Sequence, residues 1–155
     1  MTANNKLEAG QKAPVFKGLD QEGKMISLED FISHKVVLYF YPKDSTPGCT
    51  AQACNLRDNY KLLLDKGIKI IGVSADSAKS HQKFIEKNNL PFPLIADTDK
   101  TILQQYGVWG PKKFMGKVYD GIHRTTFLID EQGNIIHVFD KVDTKNHTEQ
   151  ILEKL

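Results

Sequence analysis

Short apolar runs alternate along this chain with segments of helical period, and that alternation limits most tightly what it can fold into. The runs are VVLYFY (36–41), IKIIGVSA (68–75) and PLIAD (93–97). Between the first two, residues 50–66 place Ala53, Leu56, Tyr60, Leu63 and Leu64 at helical spacing, with Gly67 set to end the helix. Residues 77–89 repeat the pattern with Phe84 and Ile85 facing inward, until Leu90 and Pro91 stop it. Strands joined by crossover helices pair in parallel, so this part reads as βαβ units on a largely parallel sheet. A further helix is expected from a cap at Asp97 or Thr98 to about Tyr106, after which the Gly- and Pro-bearing stretch 108–121 reads as loop. RTTFLID (124–130), the turn EQGN and IIHVF (135–139) predict a hairpin, and residues 147–155 a closing helix. With a short N-terminal hairpin ahead of it, the order βαβα then ββα fits the α/β class and a thioredoxin-like fold, a central mixed β-sheet flanked by helices. A flavodoxin-like sheet shares much of this local pattern and stays open at this point.

A chain of 155 residues without repeats or low-complexity segments is expected to form a single domain over 1–155. Its 21 basic and 19 acidic side chains leave a formal charge of +2, too little to point to nucleic acid or an anionic membrane as partner. No apolar run approaches the ~20 residues of a spanning helix, and the N-terminal stretch MTANNKLEAGQKAPVF has no apolar leader core, so a cytoplasmic location is expected. Only two cysteines occur, Cys49 and Cys54. A domain of this size has no need of a disulfide to hold its core, which makes chemistry the better reason for them. The five histidines are scattered, and neither Cys-x2-Cys nor His-x3-His spacing is present, so no metal and no organic cofactor are expected.

The chemistry concentrates in YPKDSTPGCTAQAC (41–54), between the first buried strand and the helix that follows it. In open α/β sheets ligands bind where strands end and helix N-termini present unpaired N–H groups. Thr46 suits the N-cap, Pro47 the first helical position, and Cys49 then falls in the first turn, where the positive end of the helix dipole favours a thiolate over a thiol. An isolated cysteine would read as a small core residue. Here the cap, the proline, a glycine that leaves room beside the backbone and a second cysteine coincide, which favours a nucleophile. Cys54 alone reads equally well as a core position on the helix.

These residues resemble the active site of the peroxiredoxins, Pro-x-x-x-Thr-x-x-Cys, which falls here on Pro42, Thr46 and Cys49. The chain looks most like the bacterioferritin comigratory protein, or Q-type, subfamily. FYPKDSTPGCT (40–50) carries the likeness, which extends through IGVSADSAKSHQKF (71–84), LPFPLIADTDK (90–100), YGVWG (106–110), GIHRTTFLID (121–130) and the terminal helix at His147. The resemblance implies Cys49 as peroxidatic cysteine, Cys54 as resolving cysteine, Thr46 as hydrogen-bond partner of the peroxide, Arg124 as the cation beside the sulfur, and Pro42 as its shield from water. Taken by itself, Arg124 would be a solvated charge at a strand end. One position departs from the subfamily: Gln52 stands where Glu is usual, which puts the placement of Arg124 in question.

The resemblance further implies hydrogen peroxide and organic hydroperoxides as substrates. A sulfenic acid on Cys49 would condense with Cys54 into an intramolecular disulfide, and thioredoxin or a similar dithiol would recycle it in antioxidant defence. With both sulfurs on one chain, a monomer is sufficient. Two competing readings remain: a thioredoxin-type disulfide oxidoreductase, which normally uses Cys-x-x-Cys rather than the Cys-x4-Cys found here, and a redox sensor that uses the disulfide as a signal. Two residues five apart on a helix are too far separated for a disulfide, so the first turns are expected to unwind on oxidation.

Overall fold

Val36 to Phe40 are all buried, as befits a strand covered on both faces, and this strand is the centre of the molecule. The computed structural model describes residues 7–155; the first six, part of the N-terminal stretch read above for a leader, lie outside them. The chain opens with a small antiparallel hairpin, β1 (Lys17–Leu19) and β2 (Met25–Ser27), then a 3-10 turn at Leu28–Phe31. β3 (Lys35–Phe40) leads into α1 (Pro47–Asp58), α2 (Tyr60–Asp65), β4 (Ile68–Ser74), α3 (Ala78–Asn88), β5 (Leu94–Ala96) and α4 (Thr101–Gln105). A second hairpin, β6 (Trp109–Phe114) and β7 (Lys117–Ile122), precedes β8 (Thr125–Ile129), β9 (Ile135–Phe139) and α5 (His147–Leu152).

The main sheet runs β5-β4-β3-β8-β9, with β3, β4 and β5 parallel and β8 and β9 antiparallel to their neighbours. That mixed order is thioredoxin-like, and the antiparallel β8 beside β3 removes the flavodoxin-like alternative. Strand alternation divides the core in two. Val36, Leu38, Phe40, Ile71, Val73 and Phe127 pack under α4 and the N-terminal segments. Val37, Tyr39, Tyr41, Ile70 and Leu128 pack under α1, α2, α3 and α5 through Cys49, Ala53, Leu56, Leu63, Phe84 and Ile151. Among the described residues, no helix is long and apolar enough to cross a membrane.

Three expectations need correction. The single helix over 50–66 is two helices, broken at Asn59, whose backbone leaves helical geometry (φ −109°, ψ 12°) while its side-chain N–H donates to the Asn55 carbonyl. Residues 108–121 are not loop but largely the β6–β7 hairpin, closed by Met115 and Gly116, both with positive φ as a two-residue primed turn demands. Exposed over much of its length, this hairpin shows none of the apolar alternation by which a strand is recognised. The helix expected from Asp97 or Thr98 begins at Thr101, yet the Asp97 carboxylate does cap it, accepting from the N–H groups of Ile102 (3.2 Å) and Leu103 (2.8 Å).

Candidate active site

The C-terminal end of β3 delivers the chain to a tight loop, Pro42–Thr46, and then into α1. Thr46 occupies the N-cap position, Pro47 is the first helical residue, and Cys49 is in the first turn, as the sequence implied. The cap differs in one detail. The Thr46 hydroxyl makes no bond to a helix N–H and donates instead to the Lys43 carbonyl at 3.0 Å, while the Thr46 carbonyl accepts the first helical bond from Thr50 at 2.9 Å. With its proton engaged, the hydroxyl oxygen is left as an acceptor.

Cys49 is buried, 1% exposed, and carries a free thiol. Arg124, at the junction of β7 and β8, reaches it across 75 positions of sequence: Nη2 donates to Cys49 Sγ at 3.3 Å. A Cβ on Gly48 would sit 3.3 Å from that same Nη2, so glycine keeps the space through which the guanidinium approaches. The other fork of Arg124, Nη1, donates to Gln52 Oε1 at 2.5 Å, and Gln52 is fully buried one turn after Cys49. Gln52 therefore holds Arg124 in place without a charge of its own, which answers the question its substitution for Glu raised. Its Nε2 has no acceptor among the described residues.

Cys54 lies five residues further along α1, half-buried, with a free thiol 3.7 Å from Asn88 Oδ1. Of the five residues singled out from sequence, Cys49, Arg124 and Thr46 converge at the start of α1, Pro42 opens the loop before them, and Cys54 stands apart. Sequence reading passed over Tyr41, Asp44 and His81, which form a buried hydrogen-bonded set behind this loop. A signal was available: His81 precedes Phe84 by three residues, on the buried face of α3. Burial raises the Tyr41 phenol well above its ordinary range, so it stays a donor toward Asp44.

A mixed sheet with a buried thiol at a helix N-terminus, faced by a guanidinium, defines a class of cysteine-dependent peroxidases, and residues 9–138 match the model of the AhpC/TSA family. The chain belongs to that family, the peroxiredoxins. It is 50% identical to Peroxiredoxin Bcp of Escherichia coli over 151 residues, 97% of each chain. It is 45% identical to Peroxiredoxin Bcp of Bacillus subtilis over 149 residues, 96% of this chain and 95% of that one. Among solved structures, Peroxiredoxin Q of Xanthomonas campestris superposes with a TM-score of 0.86 at 34% identity, covering 95% of this chain and 96% of that. Peroxidoxin BcpB from Mycobacterium tuberculosis superposes at 0.84 with 31% identity and 96% of both chains. These relatives support a thiol peroxidase function acting on hydroperoxides with a thiol reductant.

Proposed function

We propose that the chain reduces hydroperoxides with Cys49 as the attacking sulfur and Cys54 as the resolving one. The 3.3 Å contact from Arg124 Nη2 to Cys49 Sγ carries this reading, because it sets a fixed cation beside a buried thiol at a helix N-terminus. A lone pair of the Cys49 thiolate attacks one oxygen of the peroxide, the O–O bond breaks, and the departing oxygen leaves as an alcohol or water once it takes up a proton. Ionisation of an ordinary thiol is worth only about 30-fold at pH 7, so stabilisation of the transition state supplies most of the rate. The Arg124 N–H groups and the free N–H groups of the first turn of α1 meet the charge that develops on the departing oxygen. Thr46, with its own proton on Lys43, accepts from the peroxide O–H, and Pro42 limits access of water.

Cys49 is then a sulfenic acid. The Cys54 thiol attacks that sulfur, water leaves, and a disulfide forms. An external dithiol, for which thioredoxin is the family's model, reduces it by two successive thiol–disulfide exchanges and is itself oxidised. A related bacterioferritin comigratory protein from Xanthomonas campestris, 33% identical, is described by its alkyl peroxide reduction activity, which favours organic hydroperoxides as well as hydrogen peroxide here. Both sulfurs lie on one chain, so a monomer working as a single domain in the cytoplasm suffices.

The test is peroxide consumption coupled to thioredoxin and its reductase. Multiple turnovers are expected, with none from Cys49→Ser, and with a single turnover from Cys54→Ser that stalls as sulfenic acid by mass. Sustained turnover by Cys49→Ser would overturn the assignment, and insulin reduction without any peroxide reaction would favour a disulfide oxidoreductase.

A further inference from the structure

A second set of buried polar groups lies directly behind the loop that carries Pro42 and Thr46, and the chemistry above makes no use of it. Asp44 is 6% exposed and His81 is fully buried. Asp44 Oδ1 accepts from the Tyr41 hydroxyl at 2.6 Å; Oδ2 accepts from the Ser80 hydroxyl at 2.8 Å and lies 2.7 Å from His81 Nδ1. His81 Nε2 is 2.9 Å from the Ile95 carbonyl, which can only accept, so Nε2 carries a hydrogen and one further proton is shared between Nδ1 and Oδ2. The main chain of Asp44 is fixed as well, its N–H donating to Asp76 Oδ2 at 2.8 Å, where Ser74 Oγ also donates at 2.7 Å. Ligand-type atoms of Asp44, Asp76 and His81 lie within 4.8 Å of one another, and both Asp44 oxygens, Asp76 Oδ2 and both His81 nitrogens are engaged in the hydrogen bonds just given.

We propose that Asp44 and His81 are positioning residues for the peroxide step, their buried pair clamping the 42–46 loop to α3 so that Thr46 is presented correctly at the start of the Cys49 helix. The inference rests on the peroxidase reading. Its second support is the backbone between clamp and site. Ser45, directly after Asp44, has φ +64°, a left-handed conformation that a residue with a side chain keeps only when its surroundings enforce it. Asp44 is tied down on one side of Ser45 through both its main chain and its side chain, and the first α1 hydrogen bond holds Thr46 on the other. Relaxing the clamp lets Ser45 return to an ordinary conformation and turns Thr46 away, without touching Cys49 or Arg124. A buried charged or proton-sharing pair is weakly stabilising at best, so stability alone does not account for it. What the polar pair adds is direction.

The measurement compares two reagents on Cys49 in a Cys54→Ser background. Hydrogen peroxide needs the sulfur, Arg124 and Thr46; iodoacetamide needs only the sulfur in its reactive form. His81→Leu alone strands the Asp44 carboxylate and is expected to destabilise the fold, so the informative variant is Asp44→Ala/His81→Leu. It is expected to melt below the parent, because the Tyr41 and Ser80 hydroxyls lose their acceptor, but to stay folded at the assay temperature and to react with hydrogen peroxide at least tenfold more slowly, with an iodoacetamide rate changed less than twofold. A folded double variant that reacts with peroxide as fast as the parent overturns the proposal. So does one that slows equally with both reagents, because the effect would then lie at the sulfur. If the double variant does not fold, Tyr41→Phe, which deletes the hydroxyl's bond to Asp44 and its 3.4 Å contact with His81 Nδ1, decides: selective slowing toward peroxide supports the clamp, and unchanged or equally slowed rates overturn it. A parent that alkylates normally but never reacts with peroxide removes the peroxidase reading itself, and this proposal with it.

Discussion

Oxidation with one equivalent of hydrogen peroxide is the perturbation that tests the two-cysteine cycle most directly, because the reduced geometry forbids its product. Cys49 and Cys54 both lie within α1. Residues five apart on a helix are separated by about 7.5 Å along the axis and about 140° around it, which puts their Cα atoms about 8.7 Å apart. A disulfide tolerates about 4.4–6.8 Å, so the Cα atoms must close by at least about 2 Å and the first turns must unwind. Asn55 marks where unwinding stops. Its side-chain N–H donates to the Lys145 carbonyl at 2.8 Å, its Oδ1 accepts from the Thr148 N–H at 2.8 Å, and its carbonyl accepts from the Thr148 hydroxyl at 3.4 Å. Beyond it, Leu56 is fully buried and Arg57 Nη1 donates to the Asn88 carbonyl at 2.7 Å. A packed helix turn opens at a cost on the order of 3–5 kcal/mol, so the amides of Thr50 to Arg57, whose acceptors are carbonyls of the unwinding turns, are expected to lose about 10²–10⁴-fold of exchange protection on oxidation, while that of Leu63, which donates to the Asn59 carbonyl, keeps its protection. Hydrogen exchange read by NMR or mass spectrometry on both forms measures this. Equal protection at Thr50–Cys54 in the two forms would mean that no Cys49–Cys54 disulfide forms.

Arg124→Ala removes the donor to Cys49 and is expected to slow the peroxide step by about 10²–10³-fold in a chain that stays folded; an unchanged stopped-flow rate would refute its role. Asn55→Ala deletes a cap-like bond to α5 and a second bond to Lys145, together about 2 kcal/mol, so the melting temperature should fall by about 4–8 °C; no shift would remove Asn55 as the fixed point. His147 is buried, donates from Nδ1 to Gln150 Oε1 (2.8 Å) and accepts at Nε2 from the Thr126 hydroxyl (2.9 Å), so burial holds its pKa below the ordinary value. The unfolded chain then binds this proton more readily. The contribution of His147 is fully present above about pH 6.5 and is lost as pH falls toward the folded pKa. Urea midpoints should drop between pH 7.5 and 5.5, and less steeply in His147→Gln; identical slopes would show that His147 is not the group.

The legible part of this fold is what local pattern encodes. Val36–Phe40 and Ile68–Ser74 announce themselves as buried strands, and Thr46-Pro47 as a helix start. The hairpin β6–β7 was not legible, because strands paired only with each other, outside the main sheet, carry no buried face to print a period on the sequence. The break at Asn59 hides for another reason: an asparagine side chain that competes for a backbone carbonyl leaves the apolar spacing of Leu56 and Leu63 intact. In the site, the cysteine end was written contiguously. Its distant partners were not: a strand-end arginine and a helix-face histidine look the same in sequence whether solvated or buried, and only tertiary packing brings Arg124 to Cys49 and His81 to Asp44.

On the proposed cycle, one segment must serve two opposite demands. Attack on peroxide requires the start of α1 to be wound, since only then do its free N–H groups, Thr46 and Arg124 surround Cys49. Resolution requires the same turns to be unwound. Pro47 and Gly48 make this end of α1 intrinsically weak, and Ser45 holds a strained backbone just before it, so the wound state depends on contacts from outside the helix. Two are prominent: the Asp44 clamp on the N-terminal side, and the Gln52–Arg124 bond within the turn that must open. The nature of the second matters. It joins a neutral amide to a guanidinium, a hydrogen bond to a charged group worth roughly 1.5–3 kcal/mol, and that is what the unwinding must break. On that cycle the Gln52–Arg124 bond is both what places Arg124 for the first half-reaction and what the second must open.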